Sequence, residues 1–390
     1  MAEKLAPLSP LGFRRSLCTW YIANARSLPW RQTREPYQIW VSEIMLQQTR
    51  VAAVIDHYNA FLLRFPTLLS LALALEQDVL AAWSGLGYYR RARLLHGAAQ
   101  FVVSQLGGEL PKTSAELRSL PGIGEYTAAA IASIAFDEAV PVMDGNVERV
   151  LLRLLGQQES ATTAARNALM RQAAELVPPP NSKQTSKQTP GEHNQAMMEL
   201  GATICLPQKP LCPQCPVFKF CVTRGEHPTP SRPKMQSHEI AYLLATRKQG
   251  TATQVLLRKR AANASLMPGM WELPETSLES VDGQPALLRM RHSITTTNYY
   301  VRIHAERQST TPLRMPSADA PGKDGSMWIH TSQLGSLALT GLARKALQRL
   351  DLMALTTLRA AADVDATSGK NEAGPAPVLR KRTDPRFRRV

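Results

Sequence analysis

Four cysteines placed close together constrain this chain more than any other sequence feature. Cys205, Cys212, Cys215 and Cys221 lie within seventeen positions, whereas Cys18, the fifth cysteine, lies far upstream. Thiolates this close in sequence can converge on one soft metal centre, so the pattern indicates metal rather than disulfides. Zinc and an iron–sulfur cluster both accept four thiolates. The cysteines form one Cys-x2-Cys pair, with longer spacings to the cysteine on either side, and this pattern favours the cluster. Such a cluster would stabilise a loop, and with four thiolate ligands it would have no open coordination position for chemistry.

The charge balance indicates a polyanionic partner. Of the 390 residues, 46 are Lys or Arg and 31 are Asp or Glu, which gives a formal net charge of +15. Nucleic acid is the first interpretation of this excess, and an anionic membrane surface is the second. No apolar core is present in the first twenty residues, and the leucine-rich stretch 68–83 is interrupted by Glu76 and Asp78, so neither secretion nor membrane spanning is expected. Reduced cysteines agree with an intracellular protein.

The period of the apolar residues changes once along the chain. Residues 7–176 show helical steps of three and four, typical of an all-α bundle, and a further helix is predicted over Asn194–Cys205. The polar, proline-bounded stretch 178–190 between them indicates a surface insertion. Beyond the Pro- and Ser-containing stretch near 227–237 the period becomes that of strands. The predicted strands are Ile240–Ala245, Val255–Arg258, Tyr299–His304 and Met327–His330, and a helix is predicted at Leu342–Leu350.

These patterns predict an α domain followed by an α+β domain. The all-α domain covers 1–226 and includes the cysteine loop 205–221, a linker covers 227–237, and the α+β domain covers 238–355. Residues 356–390 are expected to be a disordered basic tail. The tail has six Lys or Arg residues between positions 380 and 389, and a solvated charge run and a DNA-binding arm are both open interpretations.

The segment Leu120-Pro121-Gly122-Ile123-Gly124-Glu125-Tyr126 is typical of a tight turn between two helices. Gly122 and Gly124 permit the turn, and the free backbone N–H groups that begin the next helix can hold a phosphate without reading a base. A plain turn between two helices is the alternative interpretation. The basic charge of the chain favours a helix-hairpin-helix DNA-binding motif.

Two carboxylates are candidates for chemistry. Asp144 precedes a helical run and, taken alone, is most simply an N-cap. Glu43 lies in the apolar run Ile39–Leu46, where burial would raise its pKa, although a surface glutamate on an amphipathic helix is the alternative. A protonated Glu facing an ionised Asp is an arrangement that hydrolyses glycosidic bonds.

In this order, the motifs resemble the helix-hairpin-helix DNA glycosylases that carry an iron–sulfur cluster. Glu43 with Met45–Thr49, Gly85–Tyr89, Asp144-Gly145-Asn146 and Asn194–Gly201 are similar to the MutY family of adenine DNA glycosylases. The resemblance implies a monomeric, monofunctional enzyme that removes adenine opposite 8-oxoguanine, or guanine, in double-stranded DNA. It also implies a [4Fe-4S] cluster held by the four clustered cysteines, and no membrane partner.

The same resemblance implies roles for four catalytic residues. Glu43 would protonate N7 of an adenine extruded from the base stack, and Asp144 would stabilise the oxocarbenium ion. Asn146 would hydrogen-bond nearby, and Tyr126 occupies a pocket position beside Asp144. The related endonuclease III group has a lysine at this position, which forms a Schiff base and cuts the strand. Strand cleavage is therefore expected to be weak or missing. An aromatic anchor of its helix is the alternative interpretation of Tyr126.

Further residues are expected to contact the substrate. Arg31 and Gln195 would line the adenine pocket, Gln48 and Tyr88 would wedge into the duplex, and Leu86 would touch the oxidised guanine. Gly122 and Gly124 would hold a phosphate. A polar helix terminus is the alternative for Gln48, and core packing is the alternative for one of the two adjacent tyrosines.

The second domain resembles the Nudix-like module that recognises 8-oxoguanine in this family. Residues 266–274 match its Gly-x-Trp-Glu-x-Pro element, and no glutamate-rich pyrophosphatase helix follows, so the domain is expected to bind and not to hydrolyse. Where many members have a Phe-Ser-His loop, this chain has His292–Asn298. Thr295 could replace the serine hydroxyl, and His292 could compensate for the other contacts.

Three functions from different classes remain open on the sequence. The first is a mismatch adenine glycosylase, the second is an endonuclease III-like glycosylase and lyase for oxidised pyrimidines, and the third is a catalytically silent DNA-binding module held together by zinc. A bacterial source is favoured, which would place the protein in the cytoplasm at the nucleoid. In a eukaryote the expected location is the nucleus or the mitochondrion.

Overall fold

The computed structural model describes residues 8–180, 188–227, 234–294, 296–306 and 325–354. The predicted tail at 356–390 lies outside these ranges, and so do parts of the predicted insertion and linker. The described residues between 8 and 354 form one compact unit that contains both the helices and the strands. The boundaries at 226 and 238 therefore stay a prediction.

Eleven of the twelve α-helices in the described part of the chain precede the first strand. They are α1 Pro10–Asn24, α2 Pro36–Leu46, α3 Val51–Arg64, α4 Leu68–Ala72, α5 Glu76–Ala82, α6 Arg90–Gln105, α7 Ser114–Leu117, α8 Glu125–Phe136, α9 Gly145–Leu155, α10 Thr163–Leu176 and α11 Pro190–Thr203. The twelfth, α12, covers Gly341–Arg349. None of the described helices is both long and apolar enough to cross a membrane.

Two apolar cores hold the helices together. The first lies among α2 to α8 around Trp40, Phe61 and Trp83, each of which is completely buried. The second lies among α1 and α9 to α11 around Phe13 and Leu151. Burying aromatic and leucine side chains of this size is the main source of stability in such a bundle.

Helix α11 begins four residues before its predicted start. Thr189 and Glu192 form a capping box in which each side chain accepts a hydrogen bond from the backbone N–H of the other residue. Pro190 occupies the first helical position, where its missing N–H costs no hydrogen bond. The helix ends at Thr203, so Cys205 lies beyond it and not within it as predicted.

Two four-stranded sheets follow the helices. Their strands are β1 Gln236–Leu244, β2 Thr246–Gln249, β3 Ala252–Lys259, β4 Trp271–Glu272, β5 Glu275–Thr276, β6 Leu288–Ile294, β7 Thr297–Ala305 and β8 Ser326–His330. One sheet has the order β5-β1-β7-β6, in which β1 and β7 are parallel and the other pairs antiparallel. In the other sheet β3 pairs antiparallel with β2, β4 and β8.

All four predicted strands are present, as β1, β3, β7 and β8, and the predicted final helix is α12. The short strands β2, β4 and β5 and the longer β6 were not predicted. Apolar residues of both sheets and of α12 share one core around Val255, Ile303 and Leu347. Met270 and Ala338, which flank this core, are buried in the first helical core, so the sheets pack directly against the helices.

Candidate active site

A cavity of about 700 Å³ lies among the two helical cores, within the usual range of ligand pockets. Its walls come from the middle of α2, the first turns of α8 and α9, one face of α11, and the segments around positions 26–31 and 46–51. The walls include eight of the predicted site residues: Arg31, Glu43, Gln48, Gly124, Tyr126, Asp144, Asn146 and Gln195. Residues far apart in sequence are thus brought to one space that can accept a nucleobase.

Glu43 is a buried acid in the cavity wall. Its residue is 4% exposed, and its Oε2 accepts a hydrogen bond of 2.7 Å from the Tyr126 hydroxyl. The pKa of Glu43 is raised to about 7, because burial and the charge of Asp144 raise it by more than the hydrogen bond from Tyr126 and the charge of Arg31 lower it. A substantial fraction of the Glu43 side chains is therefore protonated at neutral pH, as a general acid requires.

Tyr126 stays a phenol beside this acid. Burial and the neighbouring Glu43 carboxyl raise the pKa of Tyr126 well above its usual range. The hydroxyl also approaches the Met198 sulfur at 3.4 Å. Tyr126 thus fixes the orientation of Glu43, a contact that the sequence had not assigned to it.

Asp144 combines two functions at the start of α9. Its Oδ1 accepts a hydrogen bond from the backbone N–H of Val147 at 2.7 Å, so the residue is the N-cap that the sequence predicts. Its Oδ2 accepts a bond of 2.9 Å from the Asn146 side-chain amide. The two donors hold the Asp144 carboxyl group in one orientation at the cavity wall, at the positive end of the helix dipole. N-cap and catalytic carboxylate are therefore compatible interpretations.

The rate of any reaction that uses Glu43 as an acid should fall as the pH rises through about 7, because the proton is lost there. Tyr126→Phe removes a hydrogen bond that stabilises the ionised form of Glu43, and so it should raise the pKa of Glu43 and move this fall to higher pH. The measurement is the single-turnover rate against pH for both proteins. An unchanged or lowered midpoint in the variant would contradict the assigned contact.

Three charged residues that form one wall of the cavity were not predicted as a unit. Glu199 is fully buried, and its carboxylate accepts hydrogen bonds of 2.7 and 2.6 Å from Arg26 and of 2.7 Å from Arg31. Burial alone would raise the pKa of Glu199, but the two guanidinium groups lower it to about 2. Arg31, the predicted pocket residue, is therefore held rigidly by a buried partner. Gln195 lies nearby and accepts a bond from the Tyr21 hydroxyl at 3.2 Å.

The two predicted wedge residues occupy similar positions on adjacent loops. Gln48 and Tyr88 both have positive φ, 53° and 49°, a conformation rare for non-glycine residues and often found at functional sites. Gln48 is exposed, and Tyr88 is 46% exposed. The Arg91 guanidinium joins the loops, because it donates to the carbonyls of Gln47 and Gly87 at 2.6 and 3.3 Å.

The hairpin before α8 has the geometry that the glycines predict. Gly122 has a φ of 78°, and a Cβ there would lie 2.7 Å from Leu94 Cβ, so only glycine fits. Gly124 is the N-cap of α8 and has no side chain to satisfy the first N–H groups of the helix. These donors are available to an anion such as a phosphate.

The two residues predicted to contact the oxidised guanine are not among the described residues that line the cavity. Leu86 is 6% exposed and packs in the first helical core, and it is not part of the cavity wall. Thr295 lies outside the described residues. His292 is half-buried on β6, with its ring 3.7 Å from the place a Cβ on Gly341 would take.

The four clustered cysteines line one small, mostly apolar cavity between α9, α11 and the loop that follows. Arg153 donates to the carbonyls of Leu206 and Pro207 at 2.6 and 2.8 Å and approaches the Cys205 sulfur at 3.4 Å. Within the described ranges, no three His, Cys, Asp or Glu side chains come together as ligands of a single metal ion. Four thiols, apolar walls and an adjacent guanidinium form a donor set that fits an anionic iron–sulfur cluster.

Arg149 connects the cysteine loop to the surroundings of Asp144. Its guanidinium donates to the Asn146 side chain at 2.9 Å, to the Gly201 carbonyl at 2.7 Å and to the Cys205 carbonyl at 2.9 Å. Asn146 in turn donates to Asp144. The loop that carries Cys205 thus helps to fix the groups around Asp144.

Residues 41–179 match the family described as "HhH-GPD superfamily base excision DNA repair protein". This segment contains Glu43, the hairpin and Asp144, and its helices build most of the cavity. Over residues 41–179 the chain is similar to this superfamily, and the helices that contain this segment are followed by a part that contains the sheets.

The chain is also similar to proteins named adenine DNA glycosylase. The one from Homo sapiens is 48% identical over 223 residues, which cover 54% of this chain and 39% of that protein. The one from Arabidopsis thaliana is 36% identical over 310 residues, covering 68% and 47% respectively. The one from Buchnera aphidicola (Schizaphis graminum strain) is 36% identical over 215 residues, covering 55% and 60%. In each case less than two thirds of the relative's length is matched.

Proposed function

We propose that this protein is a monofunctional DNA glycosylase that removes adenine mispaired with 8-oxoguanine, or guanine, by hydrolysing its N-glycosidic bond. One observation carries the proposal. A buried acid with a pKa of about 7, Glu43, shares a cavity that has room for a purine with the carboxylate of Asp144. The similarity to adenine DNA glycosylases supports adenine as the base that enters the cavity.

The reaction begins when the nucleotide leaves the base stack and enters the cavity. Unstacking costs a few kcal/mol, and less for a mispaired base. Gln48 and Tyr88, on their adjacent loops, are placed to fill the space that the base leaves. Phosphates next to the lesion are held by the N–H groups at the start of α8.

Glu43 then supplies the proton that turns adenine into a good leaving group. Oε2 is held by Tyr126, and no described protein group is hydrogen-bonded to Oε1, which leaves that atom available to the base. Protonation at N7 withdraws electrons from the glycosidic bond, so the bond breaks and the base departs neutral. The sugar is left as an oxocarbenium ion.

Asp144 stabilises this cation. Its two oxygens are held by Val147 and Asn146, so the charge is already oriented before the bond breaks and little reorganisation is needed. Water then attacks C1′ and transfers a proton to the Glu43 carboxylate, which restores the acid and gives an abasic site. Because position 126 is a tyrosine and not a lysine, no amine is present there to form a Schiff base, so strand cleavage should not follow.

The charged wall supports selection of the base. Glu199 keeps Arg31 in one orientation, so the guanidinium presents fixed donors to the acceptor nitrogens of a purine. Gln195 adds an amide beside it. A rigid polar wall discriminates between bases because a wrong base leaves its buried donors unpaired.

Cys205, Cys212, Cys215 and Cys221 would hold a [4Fe-4S] cluster. Its contribution would be structural, since four thiolates occupy every protein-ligand position. The cluster would tie the loop 205–221 to α9, where Arg153 and Arg149 already bind its carbonyls. We therefore expect no step of base release to pass through it.

Loss of one cluster ligand should destabilise the protein. Cys215→Ala should remove the brown colour and the iron, about four atoms per chain, and lower the Tm by several degrees, because the loop loses its staple. Cys18→Ala is the matched control and should keep both. The measurements are the iron content and the thermal unfolding of the two purified variants. A Cys215→Ala protein with full iron content would refute Cys215 as a cluster ligand.

The sheet-containing part is proposed to be a Nudix-like module that binds 8-oxoguanine. The Trp-Glu pair of its motif forms β4, and Glu272 is buried between Arg258 and Arg260, with N to O distances of 3.4 and 2.5 Å. This acid therefore has a structural role. Among the described residues of the altered loop, we propose that His292 on β6 contacts the oxidised base.

The activity is tested with duplexes that carry a single adenine opposite 8-oxoguanine. Breakage of the adenine strand only after alkali supports a monofunctional glycosylase. Direct breakage would support the lyase alternative, which a duplex with an oxidised pyrimidine tests further. A protein that binds both duplexes and forms no abasic product would be the silent module.

We also propose that the protein acts as a monomer on chromosomal DNA. In a bacterium that DNA lies in the cytoplasm, and in a eukaryote in the nucleus or mitochondrion. The formal charge of +15 supports a nucleic-acid partner.

A further inference from the structure

The loop that carries Tyr88 is held in an unfavourable conformation. Gly85 and Gly87 have φ values of 111° and 72°, and Tyr88 has one of 49°. A non-glycine residue keeps such a conformation only where surrounding contacts fix it. On one side of the loop, Arg91 supplies these contacts.

On the other side, the contacts come from the sheet-containing part of the chain. The Arg344 guanidinium on α12 donates from Nε to the Ser84 hydroxyl at 2.6 Å. The Leu339 carbonyl accepts hydrogen bonds from the Tyr89 hydroxyl at 3.0 Å and from the Ser84 hydroxyl at 3.3 Å. Both ends of the loop therefore bond to residues about 250 positions further along the chain.

These partners are themselves rigidly placed. Leu339 is fully buried and bridges to Trp271, whose backbone N–H donates to the Ala338 carbonyl at 2.9 Å. The Trp271 carbonyl accepts from the N–H of Thr340, the residue that caps α12. The segment before α12 is thus locked to β4, and a displacement of β4 or α12 would be transmitted to the loop.

Arg344 is an unusual residue at such a position. It is 8% exposed, and among the described residues it has no carboxylate partner within salt-bridge distance. A buried guanidinium is unfavourable unless its hydrogen bonds compensate, and an apolar side chain of similar length would pack at least as well. Stability alone therefore does not account for an arginine here.

We propose that Arg344 is a positioning residue that, through Ser84, holds the loop Ser84–Tyr89 in the conformation that presents Tyr88 to the duplex. The proposal rests on the proposed function, in which Tyr88 enters the space left by adenine. The sheet-containing part then contributes to base extrusion as well as to recognition of the opposite base. The connection is direct, because the side chain of Arg344 on α12 is itself hydrogen-bonded to Ser84 at the start of the loop.

The test compares Arg344→Met with Arg349→Met, an exposed arginine in the last turn of the same helix. Arg344→Met should slow single-turnover adenine release from an adenine:8-oxoguanine duplex by about ten- to a hundredfold, since small misplacements cost that much. Arg349→Met should release adenine at the wild-type rate. Ser84→Ala removes the acceptor of the same hydrogen bond instead of its donor, and it should reproduce the Arg344→Met defect. The test therefore still holds if one of these two variants folds poorly.

A double-mutant cycle with Tyr88→Ala separates positioning from general damage. If Arg344 acts through the loop, the variant Arg344→Met with Tyr88→Ala should be no slower than Tyr88→Ala alone. Multiplicative effects of the two substitutions, or an Arg344→Met rate equal to that of wild type, would overturn the proposal.

Hydrogen exchange of the Gly85–Tyr88 amides supplies a readout that does not depend on activity. The exchange should be faster in Arg344→Met and in Ser84→Ala, with the rest of α6 unchanged. Equal exchange in all variants would refute the positioning role. If wild type released no adenine, the proposed function would fail, while the exchange comparison would still decide the role of Arg344.

Discussion

Glu43→Gln should reduce adenine release by about 10²- to 10⁴-fold while DNA binding is retained, because general acid catalysis typically contributes a factor of this size. The amide keeps the shape of the protonated acid, and its oxygen can still accept the 2.7 Å hydrogen bond from Tyr126. What is lost is the transferable proton. Single-turnover kinetics measure the first effect, and a binding assay with the same duplex measures the second.

The control for this variant is Glu125→Gln. Glu125 also borders the cavity, but it is exposed and forms only a 3.5 Å ion pair with Arg166. Such surface pairs contribute little, so this variant should keep its turnover and its stability. Turnover preserved in Glu43→Gln, or lost equally in both variants, would exclude Glu43 as the acid.

The prediction for Glu43 depends on burial that the sequence already indicated. Apolar residues surround it between Ile39 and Leu46, and the structure buries nearly the whole of α2. The consequence for the pKa follows from burial alone. The contact with Tyr126 does not follow, because it depends on how α2 and α8 pack, which no local pattern specifies.

The charged wall of the cavity is another contact that no local sequence pattern specifies. The family resemblance assigns Arg31 to the pocket, but it gives no reason to pair that residue with Glu199, 168 positions away. A partial signal was present, since Glu199 lies in an otherwise apolar stretch of α11 where an unpaired carboxylate would be costly. Such a residue predicts a cationic partner without identifying it.

The strands that were missed have a local explanation. Strand β2 has the sequence Thr-Arg-Lys-Gln and is largely exposed, so it has no apolar alternation to detect. Strand β6 alternates Leu288 and Met290 with arginines, a strand signal that was overlooked. Strands β4 and β5 have two residues each, below the length at which a period can be recognised.

Asp144→Asn should slow adenine release by about 10³-fold, the upper end of what the loss of one oriented electrostatic group costs. Asparagine is as good an N-cap as aspartate, so α9 should keep its first turn and the protein its Tm. The variant therefore removes the charge opposite the oxocarbenium ion and little else. Thr162→Ala is the complementary control, because it removes the N-cap of α10 at an exposed site and should lower stability by about 1 kcal/mol without changing turnover.

The pH dependence gives Asp144→Asn a second, independent outcome. The charge of Asp144 raises the pKa of Glu43, so removing that charge should lower the pKa and move the alkaline fall in rate to lower pH. This shift is opposite in sign to the one expected for Tyr126→Phe. Opposite shifts from the two variants would place both residues against Glu43 in solution. Shifts of the same sign would mean that the acid is not held between them, and the arrangement proposed for base release would have to be abandoned.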